Sequence, residues 1–151
     1  MMKVSSRTTY AVRALLALTR TPSTETVALA RIAETQNMPL PYLEQIFSTL
    51  RKAGIVEAVR GSHGGYRLGR GAAEISLAQI MASLEGPMEP VLCTMPENRT
   101  PDCHEEDGCI NRLLCSELDG ALSKILSDKT LASLSLEAER QGMSAPVRLK
   151  A

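Results

Sequence analysis

LPYLEQIFSTLRKAGIVEAVRGSHGGYRLGR, residues 40–70, is the stretch on which the fold turns. Leu43, Ile46, Phe47 and Leu50 recur at i, i+3, i+4 and i+7, one face of a helix that runs from about Leu40 to Ala53. Gly54 stands where a helix takes a glycine C-terminal cap. IVEAVR (55–60) is β-branched and alternating, GSHGG (61–65) is a turn and YRLGR (66–70) returns, which makes a β-hairpin. Arg60, His63, Arg67 and Arg70 lie near its tip and edges.

Upstream, Ser5 and Ser6 can cap a first helix to about Thr19, with Tyr10, Ala11, Ala14, Leu15 and Leu18 as its apolar stripe. TPSTET (21–26) is a loop in which Ser23 or Thr24 can cap a second helix, VALARIAETQ, burying Leu29, Ile32 and Ala33. Asn37-Met38-Pro39 then breaks the chain tightly before Leu40. Two helices across so short a turn form a helix-turn-helix, and the hairpin that follows makes it a winged helix. Tyr42, Gln45, Ser48, Thr49 and Lys52 point away from the apolar stripe of the second helix, with side chains suited to base edges and phosphates. The same face also fits a helix that is merely solvated, and a winged helix can also be a protein-interaction module.

Charge separates these readings. The chain has no net charge, but residues 1–75 hold ten Lys and Arg against five Asp and Glu, and residues 76–151 hold seven against twelve. A basic front half carrying this fold points to duplex DNA. Downstream, Ser76 caps a short helix burying Leu77, Ile80, Met81 and Leu84. A long helix runs from about Ile110 to Ser127 with Leu114, Leu118, Ala121, Leu122 and Ile125 as a seam, and Thr130 to Gln141 adds a short one. The seam either folds back on its own winged helix or meets its copy, and the second fits two recognition helices on a palindromic duplex. The expected organisation is therefore mainly α with a small β-hairpin. A winged helix-turn-helix domain spans 1–85, a cysteine-bearing loop 86–108, a dimerisation helix and its successor 109–142, and a frayed tail 143–151. With 44% hydrophobic residues, 3% aromatics and no Trp, small aliphatic side chains must fill the core. No transmembrane run or cleavable leader is evident, so the expected location is cytoplasmic.

All four cysteines fall between 93 and 115, spaced C-x9-C-x5-C-x5-C, in a loop rich in Pro and acids. Disulfides, a metal or iron–sulfur centre, and reactive thiols compete to explain the cluster. Stable disulfides are uncommon in the cytoplasm. Zinc sites pair C-x2–4-C knuckles, which are lacking here. An acidic loop raises thiol pKa, against a thiol switch. For an enzyme there is little: two histidines, His63 and His104, and no phosphate-cradling loop or nucleophile elbow.

TTYAVRALLAL, YLEQIF…LRKAGIV…VRGSHGGYRLG and a cysteine loop before a long helix resemble the IscR/NsrR group of bacterial winged-helix regulators, the Rrf-two type, over about residues 1–135. The resemblance implies a homodimeric transcription regulator, usually a repressor, that binds a palindromic operator. It matches the group's DNA-contact positions to Pro41, Tyr42, Glu44 and Gln45 on the recognition helix and Arg60 in the wing. Glu44 would select rather than strengthen, accepting from cytosine N4 and repelling phosphates. Ser48, Lys52 and His63 join them on the outward face and the wing. The resemblance also implies an iron–sulfur cluster, [2Fe–2S] or [4Fe–4S], with Cys93, Cys103 and Cys109 as ligands. Cys103, Cys109 and Cys115 are the alternative triad. The group's usual fourth ligands are replaced here by Arg112 and Thr9, so that position stays open to Cys115, His104, a carboxylate or an external group. Some relatives sense through thiols with no cluster, which keeps a cluster-free redox regulator as the alternative.

Overall fold

In a computed structural model, which describes residues 4–86 and 110–143, the apolar stripes become buried faces. The described residues form α1 (Ser6–Thr19), α2 (Leu29–Gln36), α3 (Leu40–Lys52), β1 (Val56–Val59), β2 (Gly65–Leu68), a 3₁₀ turn (Ala72–Glu74), α4 (Leu77–Glu85), α5 (Ile110–Asp128) and α6 (Leu131–Arg140). The expected mainly helical winged helix-turn-helix is the architecture found. One core gathers Leu15 from α1, Ile32 from α2, Leu43 and Phe47 from α3, Ile80 from α4 and Leu131 from α6.

Local chemistry sets the helix ends. Ser5 caps α1, its Oγ accepting from the Thr8 N–H at 3.1 Å. The α2 start differs from expectation: Ala28 is the N-cap, without a side-chain hydrogen bond, and Ser23 and Thr24 lie earlier in an exposed turn. The reason is Val27, whose N–H donates to Tyr66 O (2.9 Å) and whose O accepts from the Tyr66 N–H (2.8 Å). That bridge holds the chain extended against the hairpin until Ala28, so the helix cannot begin sooner.

The helix-turn-helix corner is a Schellman turn. Asn37 is left-handed at φ 51°, its N–H donates to Glu34 O, and the Met38 N–H donates to Ala33 O at 2.8 Å. Met38 is buried, and Pro39 follows as the N-cap of α3. α3 ends in the same way. Gly54 at φ 69° donates to Arg51 O and Ile55 donates to Leu50 O at 3.0 Å, with Leu50 and Ile55 both fully buried. β1 and β2 pair antiparallel from Val56↔Leu68 to Val59↔Gly65.

The end of the chain is stitched to the same body. Ser76 and Thr130, which cap α4 and α6 by capping boxes, pair as an isolated bridge. The Leu77 N–H donates to Lys129 O (2.8 Å) and the Leu131 N–H to Ile75 O (2.9 Å). α6 packs against α1, and α5 packs against α4. No helix among the described residues is long and apolar enough to cross a membrane.

Candidate nucleic-acid interface

α3 is anchored from beneath and bare on top. Leu43, Ile46, Phe47 and Leu50 are all fully buried, while Pro41, Glu44, Gln45, Ser48, Arg51 and Lys52 are exposed. Phe47 meets Tyr66 of the wing edge-on, ring centroids 5.0 Å apart, which locks the angle between recognition helix and hairpin. Arg51 and Lys52 lie in the last turn, where positive charge complements the helix dipole.

Two residues read as outward-facing are partly engaged. Thr49 is half-buried: its hydroxyl accepts from Arg7 Nη2 at 3.1 Å and donates to Gln45 O at 3.2 Å. Thr49 thus holds the back of α3. Tyr42 is half-buried edge-on to Tyr10 of α1, centroids 5.8 Å apart, so its ring is pre-positioned at the rim of the face. Arg7, which sequence reading did not single out, also donates to Leu84 O at 3.1 Å and so joins α1, α3 and the end of α4.

In the wing, Arg60 and His63 are exposed at the tip. Arg67 instead donates from Nε (3.1 Å) and Nη2 (3.0 Å) to Glu57 Oε2 on the facing strand. The tip is pinned to the α1–α2 turn by the Thr26 hydroxyl, which donates to His63 O at 2.6 Å. Thr26 and Val27 brace the wing across long sequence distances and carry no local signal of it.

Cys93, Cys103, Cys109 and His104 lie outside the described residues. Cys115 is described and buried. It sits on the side of α5 shared by half-buried Asp119, Leu122 and Leu126, whereas Ile110, Leu114, Leu118 and Ile125 are more than half exposed. Leu122 therefore leaves the seam read from the sequence, and the other large residues of that seam form an open stripe.

Comparison with known proteins agrees with this architecture. Residues 4–137 match the Rrf2 family, described as an iron-dependent transcriptional regulator. The chain is 38% identical over 138 residues to the HTH-type transcriptional regulator IscR of Vibrio atlanticus, covering 91% of this chain and 78% of that one. Its backbone is similar to that of CymR, the global cysteine regulator of B. subtilis, with TM-score 0.76, 32% identity, and 91% and 98% of the two chains covered. It is also similar to T. potens IscR, with TM-score 0.74, 31% identity, and 95% and 93% covered. With residues 4–137 matched by the family and relatives named as transcriptional regulators, the chain belongs to the Rrf2 family of transcriptional regulators.

Proposed function

We propose that the chain is a homodimeric repressor that binds a palindromic duplex operator through α3 and the wing, and that its affinity responds to an iron–sulfur cluster held by the cysteine loop. The observation that carries the DNA reading is the α3 surface: polar, exposed side chains on a helix whose opposite face is wholly buried. Gln45 suits the paired donor and acceptor of adenine, and Glu44 accepts from cytosine N4. Ser48, Lys52, Arg60 and His63 supply phosphate contacts around them, and Pro41 and Tyr42 shape the leading edge. We assign residues 1–85 to DNA binding, 86–108 to sensing and 109–142 to dimerisation.

The donor set fits a cluster. Cys93, Cys103 and Cys109 place three thiols between the end of α4 at Glu85 and the start of α5 at Ile110, helices that pack against each other. Thiolates are the usual iron–sulfur ligands. A bound cluster supplies a redox- and iron-sensitive crosslink in that segment, and Cys115 on α5 is a further donor in sequence. The chain's own part is to join that segment to α3: Arg7 grips Leu84 O and Thr49 together, one residue before the end of α4.

Two measurements test this. With duplexes selected from a random pool, Gln45→Ala and Glu44→Ala relax base preference at single positions, each costing about 1–3 kcal/mol of discrimination. Lys52→Ala and Arg60→Ala weaken all sequences alike and lower the salt slope by about 1 each. Uniform binding by every variant would sink the DNA reading. Anaerobic purification with iron and sulfide assays tests the cluster, and brown protein that turns colourless in Cys103→Ala is the expected result. Wild-type protein that stays colourless after anaerobic reconstitution removes the cluster and leaves a thiol-based regulator.

A further inference from the structure

The polar face of α3 is held from behind by a chain of hydrogen bonds that begins on α1. Arg7, half-buried in the first turn of α1, donates from Nη1 to Leu84 O and from Nη2 to the Thr49 hydroxyl, each at 3.1 Å. The Thr49 hydroxyl in turn donates to Gln45 O, one turn earlier on α3, at 3.2 Å. We infer that Arg7 and Thr49 are positioning residues for base recognition. Without meeting a base themselves, they fix the turn of α3 that carries Gln45 and so set how sharply the protein discriminates at the base Gln45 reads. The inference rests on the DNA-binding reading and deepens it, placing part of the specificity behind the exposed face.

Three observations support it. First, the guanidinium is a planar fork whose donors point in fixed directions, and here its two Nη atoms reach two different helices. Leu84 O belongs to the last turn of α4, where carbonyls run out of intrahelical donors, so Arg7 completes α4 while it holds α3. Second, the anchor is itself fixed. The Ser5 and Thr8 hydroxyls, on either side of Arg7 in the chain, donate to the carboxylate of Glu85, beside Leu84, the Thr8 bond being 2.9 Å. Third, Thr49 is a relay. A hydroxyl that donates to the carbonyl four residues back adjusts the local bend of its helix, and accepting from a guanidinium strengthens the bond it donates. The carbonyl that takes that bond is Gln45 O, and the Gln45 side chain stands exposed on the face proposed to read DNA. Tyr10 meets Tyr42 edge-on near the leading end of α3, so α1 holds the recognition helix at two points and thereby fixes its direction. Both Nη atoms of Arg7 already donate to protein acceptors, which makes a phosphate contact a poor account of this residue.

The test separates base discrimination from fold stability and from phosphate contact. Arg7→Ala, Arg7→Lys, Thr49→Val, Thr49→Ser and the double variant Arg7→Ala/Thr49→Val are titrated over a range of salt, well below their melting temperatures. The duplexes are a selected operator and the same operator changed at the base pair where Gln45→Ala relaxes preference. Arg7→Ala and Thr49→Val are each expected to lower the discrimination ratio there about fivefold to tenfold, the scale of a weakened bidentate base contact. The double variant does no worse than either, because both changes break one chain. Arg7→Lys, whose ammonium lacks the fork, follows Arg7→Ala, and Thr49→Ser, which keeps the hydroxyl, stays with wild type. The slope of log K against log salt keeps its wild-type value in every variant, since no phosphate contact is lost. Lower melting temperatures with the discrimination ratio intact make Arg7 a support of the fold alone and overturn the inference. A salt slope lower by about 0.9 in Arg7→Ala also overturns it, because Arg7 then meets a phosphate. In both cases Gln45→Ala still relaxes its base pair and the α3 reading stands. If wild type shows no salt-dependent binding, or Gln45→Ala relaxes no position, the reading of α3 falls and this inference falls with it.

Discussion

Glu85 ends α4, and its Oε1 accepts hydrogen bonds from the Ser5 hydroxyl and from the Thr8 hydroxyl, the latter at 2.9 Å, in the first turn of α1. These bonds, Ser5 first and then Thr8, hold its carboxyl below the ordinary value of 4.5; Arg7 nearby adds to them, and slight burial opposes. The positive end of the α1 dipole favours the same charge. A carboxyl whose folded pKa is lowered contributes stability that is complete above its unfolded pKa and is lost as pH falls through the folded value. The gap in melting temperature between wild type and Glu85→Gln should thus be constant above about pH 5 and close as the pH drops below 4.5. The side chain is exposed, so the gap is small, and surface pairs of this kind contribute about 0–1 kcal/mol. A gap that persists unchanged in acid would show that the Ser5 and Thr8 bonds are indifferent to the charge. The same corner also ties α4 to α3, because Arg7 joins Leu84 O to Thr49 one residue away.

At the scale of elements, the wing depends on two glycines for different reasons. Gly54, after α3, has φ 69°, and a Cβ there would meet nothing within 4 Å. Gly54→Ala should cost only the left-handed conformation, about 1 kcal/mol, and leave DNA affinity alone. At Gly65 a Cβ would sit 2.5 Å from Val27 O and 2.6 Å from its carbonyl carbon, backbone atoms that cannot give way separately. Gly65→Ala should push the α1–α2 turn off the hairpin and strain the two Val27–Tyr66 hydrogen bonds, together about 1–3 kcal/mol. It should melt lower than Gly54→Ala and bind operator more weakly, as read by thermal unfolding and gel shift. Equal operator affinity for both variants would deny the brace a role. That brace also marks the limit of what the sequence discloses. The helices were legible because a buried face repeats locally: Leu43, Ile46, Phe47 and Leu50 name α3, and Gly54 names its end. Most of the outward set on α3 was legible as the complement of that stripe. Thr49 and Tyr42 are half-buried because Arg7 and Tyr10, far away in sequence, engage them, and the stripe alone does not show this. Val27 gave no strand signal, since one extended residue has no period. The sequence reading of Thr130 to Gln141 as a short helix assigns Leu131 no packing partner, and its burial in the core, with α6 against α1, is a long-range fact.

For the whole molecule the question is what covers α5. α5 packs on α4, and Cys115, Asp119, Leu122 and Leu126 form its buried to half-buried side, whereas Ile110, Leu114, Leu118 and Ile125 are 73%, 55%, 56% and 57% exposed. The two stripes are roughly 100° apart around the helix, so α5 can pack on its own domain and still present a seam to a copy. In a two-fold dimer that seam brings together eight large apolar side chains. Leu114, Leu118 and Ile125 are already nearly half covered and Ile110 less so, so burial contributes about 1 kcal/mol apiece, roughly half the usual value. The total is of the same order as the about 4–15 kcal/mol that association costs, and one charge in the stripe should tip the balance. Leu118→Glu is expected to sediment as a monomer at concentrations where wild type is dimeric, and to keep its helical circular dichroism. On a palindromic operator it should bind each half-site independently, with the affinity of an isolated half-site, because the spacing of the two recognition helices is no longer fixed. Leu122→Ala makes the opposite pattern: it loses about 2 kcal/mol of fold stability, the low end for a core truncation because the site is only half-buried, and remains dimeric. If Leu118→Glu stays dimeric, the open stripe of α5 is not the seam, and if it becomes monomeric yet binds the full palindrome as tightly as wild type, two-fold symmetry is not what reads the operator.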